Sequence, residues 1–402
     1  MQLLPAFIRT RPGLALFALL ATAGSGFGQT FFVSVFGTAL RNEFALSNTA
    51  YGALYSGATV CSALVLLRVG GLADRWPLHR ITALGVVLLA AGCMLMGLAP
   101  HVAVLALGFF LLRLGGQGLM AHLGLTTAGR YFQLHRGKVM ALAASGFPLA
   151  EATLPAAGVA LIGFGGWRSA WWVAAGVLLL VLLPLYWLLS HRAPHPEQAG
   201  SHENGAPAEG LTRGQVLRDR GFYLLLPAAL ITPFVVTAIL FHQAAIAEAR
   251  EWPLSLVAGA FSGYAAGHLL TLLIAGPLVD RLTARRTLPL SLLPMTLAMI
   301  LLALYDGSWV PAAYLTLTGM SQGAMSTASG ALWPERYGTR YLGAIRAMAQ
   351  AVMVVSTAIS PVVAGLLLDA GFGIPGLAGA MAGLTGLSIA LALVAPARVT
   401  SA

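Results

Sequence analysis

Charge is what this sequence has least of. Only 9% of its 402 residues are Asp, Glu, Lys or Arg, and 58% are hydrophobic. Soluble proteins carry about 25% charged residues, so a soluble core cannot absorb this chain and the soluble classes are excluded. The two cysteines, Cys61 and Cys93, both lie inside apolar runs, which removes a disulfide framework and a thiolate metal site. No Gly-Lys-Ser/Thr follows the glycine clusters, so ATP drive has no phosphate loop to rest on. A His/Cys/carboxylate cluster and a nucleophile elbow are also missing, so no metal, no cofactor and no enzymatic activity is expected. Carboxylates are almost absent from the apolar runs, Glu151 being the one clear case. A cleavable signal peptide is not expected either. Arg9 and Arg11 precede a run from Gly13 to about Leu40, and an h-region has about 7–15 residues.

What is present is apolar sequence in pieces of about 20 residues, the length that crosses a hydrocarbon core of about 30 Å. Six such pieces fall at 13–40, 47–69, 80–99, 102–128, 139–163 and 168–190. Six more fall at 221–247, 254–279, 286–305, 309–332, 342–368 and 374–395. Lipid leaves no backbone polar group a solvent partner and the pieces are too long for barrel strands, so all are expected to be helices. The fold class is therefore an all-α integral membrane protein with twelve transmembrane helices in two six-helix bundles, 1–190 and 221–402. Between them 191–220 carries Pro194, Pro196, Gly200, Gly205, Pro207 and Gly210 and reads as a linker. Its end, Leu211 to Arg218, reads as a short interfacial helix. The 47 glycines let helices approach closely in lipid. Gly24, Gly26 and Gly28, and the pair Gly115–Gly116, mark such crossings.

The two bundles are copies of one unit. Gly70, Asp74 and Arg75, followed by His79 and Arg80, return as Gly276, Asp280 and Arg281, followed by Arg285 and Arg286. Ser56–Gly57 matches Ser262–Gly263, Gln117–Gly118 matches Gln322–Gly323, Arg130–Tyr131 matches Arg336–Tyr337, and Pro155 matches Pro361, at offsets of 205–206. Duplicated halves are how many secondary transporters are built.

The net charge of +10 raises nucleic acid as a partner, but its distribution argues against one. With both termini on one side, eighteen of the 23 Lys and Arg fall on that side and three, Arg41, Arg168 and Arg250, on the other. The positive-inside rule then puts both termini in the cytoplasm of a multi-pass inner-membrane protein, with the bilayer as its solvent. The remaining two, Arg113 and Arg346, lie within spans.

Twelve spans as two sixes, the linker and the duplicated loop resemble the major facilitator superfamily. Its Gly-x-x-x-Asp-Arg loop signature is matched by Gly70, Asp74 and Arg75 and by Gly276, Asp280 and Arg281. The basic pair comes one residue late in both copies. Arg113 to Gly118 is similar to the family's Arg-x-x-Gln-Gly of span four, one residue longer. Gly28–Phe32, Arg130–Phe132 with Arg136–Gly137, Gly166–Arg168 and Tyr341–Gly343 resemble the bacterial branch near monocarboxylate and oxalate–formate transporters. Span eight carries His268 where that branch commonly has an Arg. The resemblance implies a monomeric secondary transporter working by alternating access around a site near the midplane. The leading expectation is uptake of a small organic anion, a carboxylate above all, with proton symport. The alternatives are a proton-driven multidrug or metabolite exporter and an organic-anion exchanger.

The candidate site residues follow from cost and chemistry. An arginine inside a membrane costs about 2.5–3.5 kcal/mol and faces a polar cavity, and its planar fork suits carboxylate, sulfonate or phosphate. Arg113 is therefore the first candidate anion ligand; the alternative is a structural Arg held by backbone carbonyls or Glu151. Gln117, at i+4, is expected on its face. Glu151, between Pro148 and Pro155, is a candidate proton carrier. Arg346 is a second anion ligand or a residue snorkelling to the interface, with Gln350 one turn on. His242, Gln243, His268, Gln322, Gln29 and Thr30 are cavity candidates, though a lone His is more often a hydrogen-bonded core residue. Asp74 and Asp280 are expected to gate by pairing with Arg75, Arg80, Arg281 or Arg286, or by capping a helix end.

Overall fold

The computed structural model describes residues 11–132, 136–194, 210–338 and 340–396. Most of the linker, 195–209, therefore lies outside the described residues, as do Arg9 and Arg398. Among the described residues the regular structure is helical, apart from one isolated bridge between Gly210 and Gly338. Nine helices among the described residues are long and apolar enough to cross a membrane, ten with the bent pair Pro12–Gly28 and Thr30–Glu43. One of the nine, Gly137–Ser190, has 54 residues. At 1.5 Å per residue it would run about 80 Å, more than twice the hydrocarbon thickness, and it breaks where Gly165 (φ −147°, ψ 15°) meets Gly166 (φ 80°, ψ 171°). A positive φ is cheap only for glycine, so this pair turns one helix into spans five and six. Val310–Tyr337 is a further 28-residue helix whose Thr, Ser and Gln content lowers its hydropathy. With it the expected twelve spans are present.

Two compact units are distinguished, Met1–Leu46 with Ala53–His202, and Ser47–Gly52 with Glu203–Ala402. In the first, span one packs on spans four and five, and span three (Leu78–Leu98) on span four (Val102–Tyr131). In the second, span eight (Leu254–Leu282) lies along span ten (Val310–Tyr337), span seven (Arg220–Phe241) along span eleven (Leu342–Asp369), and span nine (Ala284–Leu304) against spans ten and twelve (Gly373–Val394). Helix pairs of this kind are held by close packing rather than by hydrophobic exclusion, since lipid is as apolar as leucine.

Spans one, four and six depart from the regular helix that the apolar pattern predicts, span six by a π-helical stretch at Val177–Leu182. Span one is one run in the sequence, but its helix tightens to a 3-10 turn at Ser25–Gly28, opens at Gln29 (φ −90°, ψ 156°) and resumes at Thr30. The two parts are bent by 41°. Span four widens to a π-helix over Arg113–Met120, a form frequent at functional sites. The expected interfacial helix before span seven is a single turn, Arg213–Val216, closed by a capping box between Thr212 and Gln215.

Candidate functional site

The break in span one releases backbone groups in mid-membrane, and the first unit uses them to hold its buried cation. Gln29 in extended conformation leaves the Gly28 carbonyl without a helical donor, and Arg113 Nη1 donates to it at 3.2 Å. The guanidinium lies 5.0 Å from the centre of the Tyr55 ring, a cation–π contact strengthened by desolvation. The Tyr55 hydroxyl is 2.8 Å from Thr30 Oγ1, just past the break. Arg113 is 2% exposed, and its Nε is buried with no hydrogen-bond partner among the described residues. Close approach makes this possible: a Cβ on Gly116 would stand 2.7 Å from the Gly28 Cα.

Gln117 does not join Arg113. It is exposed while Arg113 is buried. A π-helix bonds i to i+5, so the i+4 residue is turned off the face that a regular helix would give it. Gln29 and Thr30 are half-buried at the break. Glu151 is buried in span five, whose neighbouring Ala150 and Leu154 pack against Gly26 of the 3-10 turn.

In the second unit the candidates separate into packed and open positions. His242 ends span seven, and its Nε2 donates to the Pro361 carbonyl at 2.8 Å. Gln243 Oε1 accepts from the Tyr314 hydroxyl at 2.5 Å. His268 is buried edge-on to Tyr264. Gln322 is half-buried. Arg346 and Gln350 are open instead. Both are exposed and line a cavity of about 180 Å³ with Ser329, Trp333, Leu226 and Met353 of spans seven, ten and eleven. Arg346 Nη2 donates to the Gly330 carbonyl at 2.8 Å, so its guanidinium is aimed across span ten rather than along its own helix. Among the described residues it is the sole charged side chain of the cavity wall.

The duplicated loops are wired differently from the expectation. Asp74 pairs with Arg130 at the end of span four, not with Arg75 or Arg80, which are exposed. The 3-10 turn Gly70–Asp74 brings the loop there, and Arg130 Nη1 also takes the Ala73 carbonyl at 2.8 Å. The Asp74 side chain is 70% exposed. Exposed pairs contribute about 0–1 kcal/mol, so Asp74→Asn is expected to leave thermal unfolding within that margin of wild type, and a larger loss in a detergent melt would show a buried role.

Arg336 is the repeat equivalent of Arg130, but it turns away from Asp280 to Asp219, the residue before span seven. Arg336 Nε and Nη2 both donate to Asp219 Oδ2, at 3.0 and 2.9 Å, and the Tyr337 hydroxyl donates to the same oxygen at 2.7 Å. The Gly221 N–H donates to Oδ1 at 3.1 Å. The two side chains are 5% and 0% exposed. Burial alone would raise the Asp219 pKa, but hydrogen bonds from Tyr337, Arg336 and the Gly221 N–H outweigh it and hold the carboxyl below its usual range. Arg336 Nη1 also caps the end of span twelve at the Pro396 carbonyl, 2.8 Å, and Arg285 takes the Ala395 carbonyl. The helix-end cap expected of Asp280 is made by Glu335, which accepts from the Ala284 N–H at 2.6 Å. Asp280, Arg281 and Arg286 are exposed. Asp219 carried one sequence signal that went unused: an Asp directly before an apolar helix stands at the N-cap.

Comparison with known proteins bears on the whole chain. The Major Facilitator Superfamily model matches residues 18–262 and 238–401. An uncharacterized MFS-type transporter, YcxA of Bacillus subtilis (strain 168), is 24% identical over 374 residues, covering 90% of each chain. Among solved structures, a bacterial homolog of the human lysosomal transporter Spinster, inward-facing and unoccupied, superposes with a TM-score of 0.68 at 16% identity, over 96% of this chain and 94% of that one. The nucleoside transporter NupG gives 0.68 at 14% identity, over 96% and 98%. At these identities the structures establish the fold.

Proposed function

This chain belongs to the major facilitator superfamily of membrane transporters, and from that premise we propose that it moves a small organic anion by alternating access, with proton symport. The observation that carries this reading is the cavity of the second unit, whose wall holds, among the described residues, one charge, the positive charge of Arg346. At about 180 Å³ it is smaller than the roughly 300–1,000 Å³ of drug-sized sites, which fits a small acid. Arg346 offers its guanidinium fork, and Gln350 and Ser329 offer neutral hydrogen bonds around it. In the first unit Arg113 is the second proposed anion ligand. Its Nη1 is anchored to the Gly28 carbonyl while Nε has no partner among the described residues. Glu151 is the proposed proton carrier, as a carboxylate buried in a span. A wall bearing carboxylates would favour an exporter of cations, and a neutral one a nucleoside; the single arginine favours neither. The monocarboxylate and oxalate–formate branch, and the inner-membrane orientation with cytoplasmic termini, belong to this same proposal.

The test is uptake of a panel of labelled organic acids into proteoliposomes, with and without an inward proton gradient. Wild type is expected to accumulate at least one acid when the gradient is present. Arg346→Gln is expected to lose roughly tenfold or more of that uptake, as removal of a hydrogen bond to a charged group costs about 1.5–3 kcal/mol. Glu151→Gln is expected to lose gradient stimulation while retaining exchange of the same acid. Transport of a neutral nucleoside or a cation, undiminished in Arg346→Gln, would overturn the anion reading.

A further inference from the structure

The repeat builds the same lateral groove twice and charges it once. In the second unit Arg285, Arg286, Leu290 and Leu293 of span nine face Ile389 and Leu393 of span twelve across a groove of about 500 Å³. In the first unit His79, Thr82 and Ala83 of span three face Leu183, Tyr186 and Trp187 of span six across about 420 Å³. The lining positions correspond at the repeat offset of 206: His79 with Arg285, Leu183 with Ile389, Trp187 with Leu393. One groove therefore presents an imidazole at its mouth and the other two guanidinium groups.

The walls of the charged groove are apolar surface left uncovered by the chain: Leu290 is 45%, Leu293 52% and Leu393 64% exposed. On a transmembrane span such surface faces acyl chains. The two arginines stand at one end, where span nine begins. Arg286 is exposed, and Arg285 has one nitrogen on the Ala395 carbonyl while its Nε is buried with no partner among the described residues. Glu335, whose carboxylate is also at this end, is engaged by the Ala284 N–H. Cation at the mouth and hydrocarbon along the walls is the complement of one kind of molecule, a phospholipid with an anionic headgroup.

We propose that the groove between spans nine and twelve is a binding site for an anionic phospholipid, with its phosphate on Arg285 and Arg286 and an acyl chain against Leu290, Leu293 and Leu393. The site is separate from the Arg346 cavity and does not depend on what is transported. Assignment to the cytoplasmic leaflet rests on the orientation proposed above; the binding itself does not.

Native mass spectrometry of the full chain, with phosphatidylglycerol and phosphatidylethanolamine of identical acyl chains added together, tests this. Wild type is expected to retain phosphatidylglycerol several-fold over phosphatidylethanolamine. Arg286→Gln should weaken that preference about fivefold, which corresponds to about 1 kcal/mol for one arginine near a headgroup. Arg286→Lys should largely keep it, and Arg281→Gln, which removes an equal charge outside the groove, should leave it unchanged. If Arg286→Gln folds poorly, Leu393→Glu, placing a negative charge on the opposite wall, should lower the preference in its place. Equal retention of the two lipids by wild type overturns the proposal, as does a preference indifferent to both groove variants. Displacement of phosphatidylglycerol by millimolar inorganic phosphate would reduce the site to a phosphate site, and a dimer whose yield follows Arg286 would make the groove a contact between copies; either also overturns it.

Discussion

Asp219→Ala is expected to lower the unfolding free energy by about 3–5 kcal/mol, the cost of removing one partner from a buried ion pair. The magnitude follows from what the carboxylate holds. Its side chain is 0% exposed and receives two nitrogens of Arg336, the Tyr337 hydroxyl and the Gly221 N–H. Without it Arg336 is a buried cation left, among the described residues, with the Pro396 carbonyl and the Tyr337 ring and hydroxyl around it. The start of span seven also loses its N-cap, itself worth about 1 kcal/mol. Replacing both partners, as Asp219→Leu with Arg336→Met, should recover much of the loss, because an apolar pair carries no desolvation penalty. Thermal unfolding in detergent measures all three variants. Asp219→Ala melting with wild type would show that the pair holds nothing together.

The same carboxyl sets a pH dependence. Its folded pKa lies below its usual value, so its contribution is complete above the unfolded value of about 3.9 and is lost as pH falls through the lower folded one. The gap in melting temperature between wild type and Asp219→Ala should therefore be constant from neutral pH down to about pH 5 and close only under stronger acid. A gap that closes near neutrality would point to a different group.

Gly28→Val is expected to cost about 1–3 kcal/mol by overpacking and to abolish uptake. A Cβ on Gly28 would stand 2.9 Å from the Gly116 Cα and closer still to the Leu112 carbonyl. Both are backbone, so no rotamer relieves the contact and spans one and four must part. That movement stretches the bond from Arg113 to the Gly28 carbonyl, and a buried guanidinium short of an acceptor adds a further penalty. Gly57→Val, with nothing within 4 Å of its Cβ, is the matched control. Equal stability and uptake in the two variants would show that the crossing does not position Arg113.

Much of this architecture is legible in the residues. The gap left between 163 and 168 in the apolar pattern falls on Gly165–Gly166, where the helix does turn. The extra residue between Arg113 and Gln117, and the repeat offset that drops to 205 at Gln117–Gly118, coincide with the π-helix of span four, because one residue more in a helix is accommodated by widening a turn. Other features left no local trace. Span one reads as continuous, since Ser25 to Thr30 carries no charge or proline to interrupt the run, yet it opens at Gln29. Loop neighbours are the partners the sequence suggests for Asp74, which instead meets Arg130, and nothing in the sequence suggests that Arg336 meets Asp219.

Composition, span length and duplication were thus determined by the sequence alone. Each is a property of a segment against its solvent, and in lipid that solvent leaves few options. Which carbonyl holds Arg113, which carboxylate takes Arg130 or Arg336, and which of two repeated grooves carries cations beside open hydrocarbon were decided only by the tertiary structure. Those choices depend on residues 56 to 117 positions apart meeting within hydrogen-bond range, and a one-dimensional pattern holds no distance between them.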